Sequence, residues 1–280
     1  MAPLQNTLDE NFILIEPDKI ITLSELFEFW YYRELLFFFI WRDIKIRYKQ
    51  TFLGFTWVII QPLFMILVFT YFFGELAKVP SEGVPYPLFS FAGLLPWNLF
   101  TEGLNRSTTT MITNAQILTK VYFPRIIMPL AGIISPMIDF AIAFGIFTIL
   151  MLYFGYIPGI NLVLLPLLVL LVLGTALGVG LWLSALNVLY RDFQYTLPFL
   201  IQLGFFLSPV VYPSTLIPER FEYLYALNPM SGIIDGFRWV LLGTNPPGFT
   251  LLISIGVIIL LIISGIIYFK RMERYFADVV

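Results

Sequence analysis

Two uncharged stretches carry rings and amides at helical spacing. Trp57, Gln61, Phe64, Val68 and Tyr71 recur at intervals of 4, 3, 4 and 3 residues, and Tyr195, Phe199, Gln202 and Phe206 repeat the pattern. Each set therefore shares one face of a helix. Aromatic rings slide along the apolar faces of sugars, and amides exchange hydrogen bonds with sugar edges without trapping a fixed charge. Any one of these rings fits helix packing or lipid contact; two faces that each mix rings with an amide suit a conduit better.

Ionisable chemistry is sparse. Asp139 reads as the one ionisable residue deep in an apolar run, where a carboxylate is costly unless protonated or paired. A proton relay needs a series of such groups, so Asp139 fits a structural hydrogen bond inside a helix bundle better than a transport role, and no internal repeat points to secondary transport. The chain has no cysteine and no histidine, which removes disulfides, thiolate nucleophiles, imidazole metal ligands and Ser-His-Asp triads. Asp192, Glu219, Glu222 and Asp235 form no DxD-like cluster of the kind a membrane-embedded glycosyltransferase needs. There is no Gly-Lys dipeptide and hence no Walker A loop. A pump built on this chain takes its energy from another subunit.

The elements that position these residues follow from composition. With 59% hydrophobic and only 12% charged residues, against about 25% charged in a soluble domain, the chain cannot cover itself with water-facing groups. It reads as an all-α integral membrane protein. A net charge of -2 gives no reason to expect a nucleic-acid partner. Six apolar stretches are candidate spans: residues 55–74, 84–105, 126–155, 162–189, 193–212 and 249–269. The second holds Pro85, Pro87 and Pro96, so an irregular start is expected there; Pro136 interrupts the third.

Lys and Arg placement orients the set. Thirteen of the 16 cations fall on the side that holds both termini, which the positive-inside rule makes cytoplasmic. Arg42, Lys45, Arg47 and Lys49, packed into eight residues before the first span, anchor it there. Ahead of them, Thr22 and Glu25 form a capping-box pattern and no Gly or Pro follows up to Lys49. Residues 22–54 thus read as a cytoplasmic interfacial helix and basic knot: a docking surface, or simply an amphipathic anchor. Residues 1–21 form an extension of unassigned role. Between spans five and six, residues 218–243 are too apolar for a free loop and too broken for a span. Two short helices fit, divided at Asn228-Pro229, as an outer gate or an interfacial belt.

Four ordered motifs, "RYKQTFLGFTWVIIQP" (47–62), "KVYFPRIIMPL" (120–130), "ALNVLYRDFQYTLPFLIQLGFFLSPVVYP" (185–213) and "LNPMSGIIDGFRWVLLG" (227–243), resemble the permease subunit of type-2 ABC polysaccharide exporters. The likeness is to the Wzm-like O-antigen group, with its capsule and teichoic-acid relatives, and covers nearly everything after residue 40. It implies two six-span copies enclosing a conduit in the bacterial inner membrane, and two ATP-binding subunits that carry the ATP and Mg; this chain is expected to hold no cofactor, no metal and no catalytic residue. By position, the resemblance places ATPase coupling at Glu28, Arg33, Asn114, Gln116, Lys120 and Phe123. It places a periplasmic gate at Glu219, Phe221, Tyr223, Asn228, Asp235 and Arg238. Arg47, Tyr48, Lys49, Gln50 and Thr51 would meet the pyrophosphate of an undecaprenyl-linked polysaccharide at the cytoplasmic mouth, the two cations attracting the anion. Residues 1–21 have no counterpart in the family. A small-molecule or drug exporter of the same superfamily would keep the motifs but not need so many conduit rings.

Overall fold

The computed structural model describes residues 31–49, 54–118, 120–121, 123–190 and 192–276. Thr22, Glu25, Glu28, Gln50, Thr51 and the 1–21 extension lie outside them.

All regular structure among the described residues is helical. Helix α1, Arg33–Lys49, carries the basic knot in its second half. The helix thus continues through the knot to Lys49, as the absence of Gly and Pro up to that residue allows. Helix α2, Gly54–Phe69, contains Pro62 and runs into a wider π turn, Thr70–Leu76. Helix α3, Tyr86–Thr113, follows. The expected irregular start is absent: Pro85 is the N-cap and Pro87 falls in the first turn, where the missing N–H has no helical partner to lose. The helix also runs eight residues beyond the expected end, so Arg106 lies inside it rather than in a loop.

Helices α4, Ile127–Ile134, and α5, Met137–Tyr153, are divided at Ser135-Pro136. Helix α6 is Leu165–Leu189 and α7 is Phe193–Leu207. The fifth stretch thus leaves the helix five residues before its expected end at Tyr212. Two short helices follow, α8, Glu219–Ala226, and α9, Pro229–Leu242, before α10, Gly248–Glu273. At their junction Asn228 caps α9 by accepting the Met230 N–H at 3.1 Å, and Gly243, with φ of 71°, closes it in the left-handed conformation that suits glycine.

Among the described residues, four stretches are long and apolar enough to cross a membrane: Thr56–Leu76, Ile127–Tyr153, Ile160–Leu189 and Gly248–Glu273. Helix α7 is a shorter apolar helix. At 28 residues α3 is about 42 Å long, but it carries Ser90, Ser107, Thr108 and Thr110 buried inside the bundle. The Ser90 and Thr108 hydroxyls turn back on the helix, Thr108 Oγ1 donating to Leu104 O at 2.8 Å. Polar residues are tolerated on α3 because its neighbours, rather than lipid, surround it.

Small residues set the crossings. A Cβ on Gly265 of α10 would stand 2.6 Å from Gly178 O of α6, and one on Gly132 of α4 would stand 2.9 Å from Ser107 N of α3. Bare backbones are what let these helices approach. Side chains gather in two cores. One, toward α9, includes Leu88, Phe91, Phe147, Val172 and Phe237. The other, toward α1, includes Phe39, Met111, Phe123, Leu181 and Phe269.

Candidate functional site

The two ring-and-amide faces are exposed. Trp57, Gln61 and Phe64 of α2, Tyr71 of the π turn that follows it, and Tyr195, Phe199, Gln202 and Phe206 of α7 all point out of the chain. The helices meet through their opposite sides: Phe69 and Phe205 lie 5.9 Å apart, and Phe205 packs edge-on to Trp97 of α3 at 5.8 Å. Gly204 lets that indole approach, since a Cβ there would sit 3.1 Å from it. Two adjoining elements therefore present uncharged, ring-rich surface, Tyr195 being 77% exposed.

At the end of α1 the charges are paired. Asp139 receives one bond from Arg47 Nη1 on Oδ2 and one from the Tyr48 hydroxyl on Oδ1. Glu102 Oε2 of α3 lies 3.8 Å from Arg47 Nη1 and 3.6 Å from Arg106 Nε. Asp139 is accordingly not isolated among ionisable groups: Glu102 and Arg106 join it. The only sequence signal for the pair was their i,i+4 spacing in "EGLNR". Burial and the Asp139 bond push the Tyr48 phenol up to about 12, so it stays a donor at neutral pH. Within the knot Arg42 Nη2 binds Asp43 at 2.8 Å and stacks 5.0 Å over Phe39, whereas Lys45 and Lys49 are exposed.

Further along α1, Phe39 is buried and its ring lies 5.8 Å from that of Phe123. Phe123 belongs to the segment after α3, where Asn114 caps the helix, its Nδ2 donating to Thr110 O at 2.8 Å. Gln116 and Lys120 of this segment, and Arg33 at the start of α1, are exposed. The segment is also tied to the end of α10: Arg125 N donates to Glu273 Oε1 at 3.3 Å and its Nη1 to Glu273 O at 2.5 Å. Sequence reading missed this tie, as the two residues are 148 positions apart.

At the far end, Arg238 is a fully buried clasp. It donates from Nη2 to Val210 O at 2.9 Å, from Nη1 to Tyr212 O at 3.3 Å and from Nε to Phe89 O at 3.4 Å, with its guanidinium 3.7 Å above the Phe89 ring. Tyr86 OH donates to Val211 O at 2.7 Å and Asn228 Nδ2 to Ser208 Oγ at 2.8 Å. Side chains from α3, α9 and the residue capping α9 thus take up the carbonyls of the turn after α7, as a buried non-helical segment requires. Asp235 Oδ1 stands 3.6 Å from Arg238 Nη1. Burial pushes the Asp235 carboxyl up to about 6, against the opposing pull of Arg238, and brings Arg238 down to about 10. On α8, Phe221 and Tyr223 are exposed and Arg220 stacks 4.7 Å over Phe221. For Glu219 only its place at the start of α8 is described.

Residues 34–242, from the first turn of α1 to the end of α9, match the ABC-2 type transporter family. The chain belongs to that family. It is a non-catalytic, membrane-spanning permease whose ATPase is a separate subunit. An O-antigen export system permease protein RfbA of Myxococcus xanthus is 30% identical over 253 residues, covering 89% of this permease and 96% of that protein. One from Klebsiella pneumoniae is 29% identical over 241 residues, 85% of this permease and 92% of the relative. The polysialic acid transport protein KpsM of Escherichia coli is 25% identical over 202 residues, 69% of this permease and 76% of KpsM.

Proposed function

We propose that this permease exports an O-antigen-type polysaccharide, carried on undecaprenyl pyrophosphate, across the bacterial inner membrane. Two copies and two ATP-binding subunits form the transporter. The observation that carries the reading is the coverage of the two RfbA relatives, 96% and 92% of their lengths. The exposed ring-and-amide faces of α2 and α7 support it, as the walls of a conduit for a glycan. With α3 and α7 counted beside the four long apolar stretches, the chain crosses six times with both termini cytoplasmic. Helices α8 and α9 then form the outer gate, and α1 with the Asn114–Phe123 segment receives the ATPase. ATP and Mg stay on that subunit. Arg47, Tyr48 and Lys49 lie at the cytoplasmic mouth and meet the lipid's pyrophosphate.

The test is deletion with complementation. Loss of surface glycan with intracellular accumulation, restored by the wild-type chain and slowed when Trp57, Phe64, Phe199 and Phe206 are alanine, is the expected result. Surface glycan that persists on deletion refutes the export reading; undiminished glycan with the alanine variant refutes the conduit alone.

A further inference from the structure

The Arg47 group is built differently from a phosphate receptor waiting for its ligand. Its partners are already carboxylates of the same chain. Asp139 is gripped on both oxygens by consecutive residues of α1, and Glu102 lies between Arg47 and Arg106. The formal charges of Arg47, Arg106, Asp139 and Glu102 cancel. The set joins three helices, α1, α3 and α5, and is partly open to solvent: Arg47 is 31% and Glu102 43% exposed, Asp139 only 16%.

We infer that this set is an ion-exchange latch, in which the diphosphate of an arriving substrate takes Arg47 and Tyr48 from Asp139 and Glu102 and so frees α1 from α3 and α5. The inference rests on the export reading above. A guanidinium and a hydroxyl that hold the two oxygens of a carboxylate hold two phosphate oxygens by the same geometry, and a diphosphate brings more charge to the exchange. Exposed Lys45 and Lys49 on the same helix add attraction for such an anion. The consequence travels because α1 is one rigid rod. Phe39, eight residues before Arg47 and so about 12 Å away, is seated against Phe123 of the segment proposed to face the ATPase. A ligand that binds only the released position of α1 shifts its population, and occupancy of the mouth is reported at the ATPase.

The absence of native cysteine makes the test direct. Spin labels at Ile46→Cys on α1 and Ile138→Cys on α5, both exposed, report the distance between the two helices in the complete transporter, reconstituted in nanodiscs with and without undecaprenyl pyrophosphate. The wild-type background is expected to show one short distance without it and a longer second population with it. Asp139→Asn should populate the longer distance unliganded. Arg47→Gln should weaken the response to undecaprenyl pyrophosphate roughly 10- to 100-fold, the loss of a charge-assisted pair.

A wild-type distance indifferent to undecaprenyl pyrophosphate overturns the inference, as does an Arg47→Gln variant that responds to it as the wild type does. Inorganic pyrophosphate is the second arm. A response to it as well makes the diphosphate itself the ligand, and a response to the lipid alone makes the lipid-linked form the ligand; both support the latch. Export that proceeds with no distance change sinks the latch and spares the export reading, whereas persistent surface glycan on deletion sinks the export reading.

Discussion

Replacing Arg238 with methionine should loosen the outer end of the bundle more than any other single change there. The side chain is 2% exposed. Val210 and Tyr212 lie in the non-helical turn after α7, so their carbonyls depend on the guanidinium bonds at 2.9 and 3.3 Å. Orphaning two buried carbonyls costs about 1–3 kcal/mol each, and the contact with the Phe89 ring adds about 2 kcal/mol. Methionine is not buried as a cation, which offsets part of the loss. The net is about 3–5 kcal/mol, the range for breaking a buried pair from one side. For a chain of this size that is about 6–20 °C in the midpoint of thermal unfolding.

Asp235→Asn is the control. Its carboxyl is already pushed up to about 6 by burial, so neutralising it should cost less than about 1 kcal/mol. The assay is thermal unfolding of the purified permease in one detergent, followed by loss of the monodisperse peak. A methionine variant within about 1 kcal/mol of wild type, or an asparagine variant less stable than the methionine one, would falsify the assignment of Arg238 as the clasp.

Three further outcomes follow from the same geometry. Because the folded Asp235 holds its proton to about 6 rather than 3.8, folding binds protons, so its contribution is greatest below about 4 and is lost as pH rises through about 6; unfolding midpoints between pH 4 and 7 should show this slope, and Asp235→Asn should flatten it. Gly93→Ala puts a Cβ 2.6 Å from Val210 O and 2.9 Å from Arg238 Nη2; a loss of about 1–3 kcal/mol is expected, less than additive with Arg238→Met in a double-mutant cycle. Gly265→Val presses on Gly178 O across the α6–α10 crossing, where even a Cβ stands at 2.6 Å. It should destabilise by at least as much, and an unchanged midpoint would mean that the helices are not held in that contact.

Hydropathy sufficed for the long apolar helices, because lipid-facing segments must be apolar along their length. Residue spacing sufficed for the outward rings of α2 and α7, because a helical face is a local property. The break at Asn228-Pro229 was equally local, since proline restricts the residue before it. Where polarity is satisfied by neighbours, sequence reading failed: α3 looked short and irregular, though it is a 28-residue helix whose hydroxyls face other helices or its own carbonyls. The end of α7 at Leu207 was hidden for a related reason, since "SPVV" is as apolar as a span and leaves the helix among donors from Tyr86, Asn228 and Arg238.

By itself the sequence determined the class, an all-α membrane protein, and where rings, amides and cations stand along it. Pairing was decided only in the tertiary structure. Arg47 and Asp139 are 92 positions apart and Arg238 and Phe89 149, and nothing local couples such residues. Arg47 and Arg238 counted alike as cations in the topology, yet one is a half-open ion pair and the other a buried donor to three carbonyls. Which carboxylates and carbonyls face an arginine depends on helix crossings, and those are set by bare backbones at Gly132, Gly178 and Gly265.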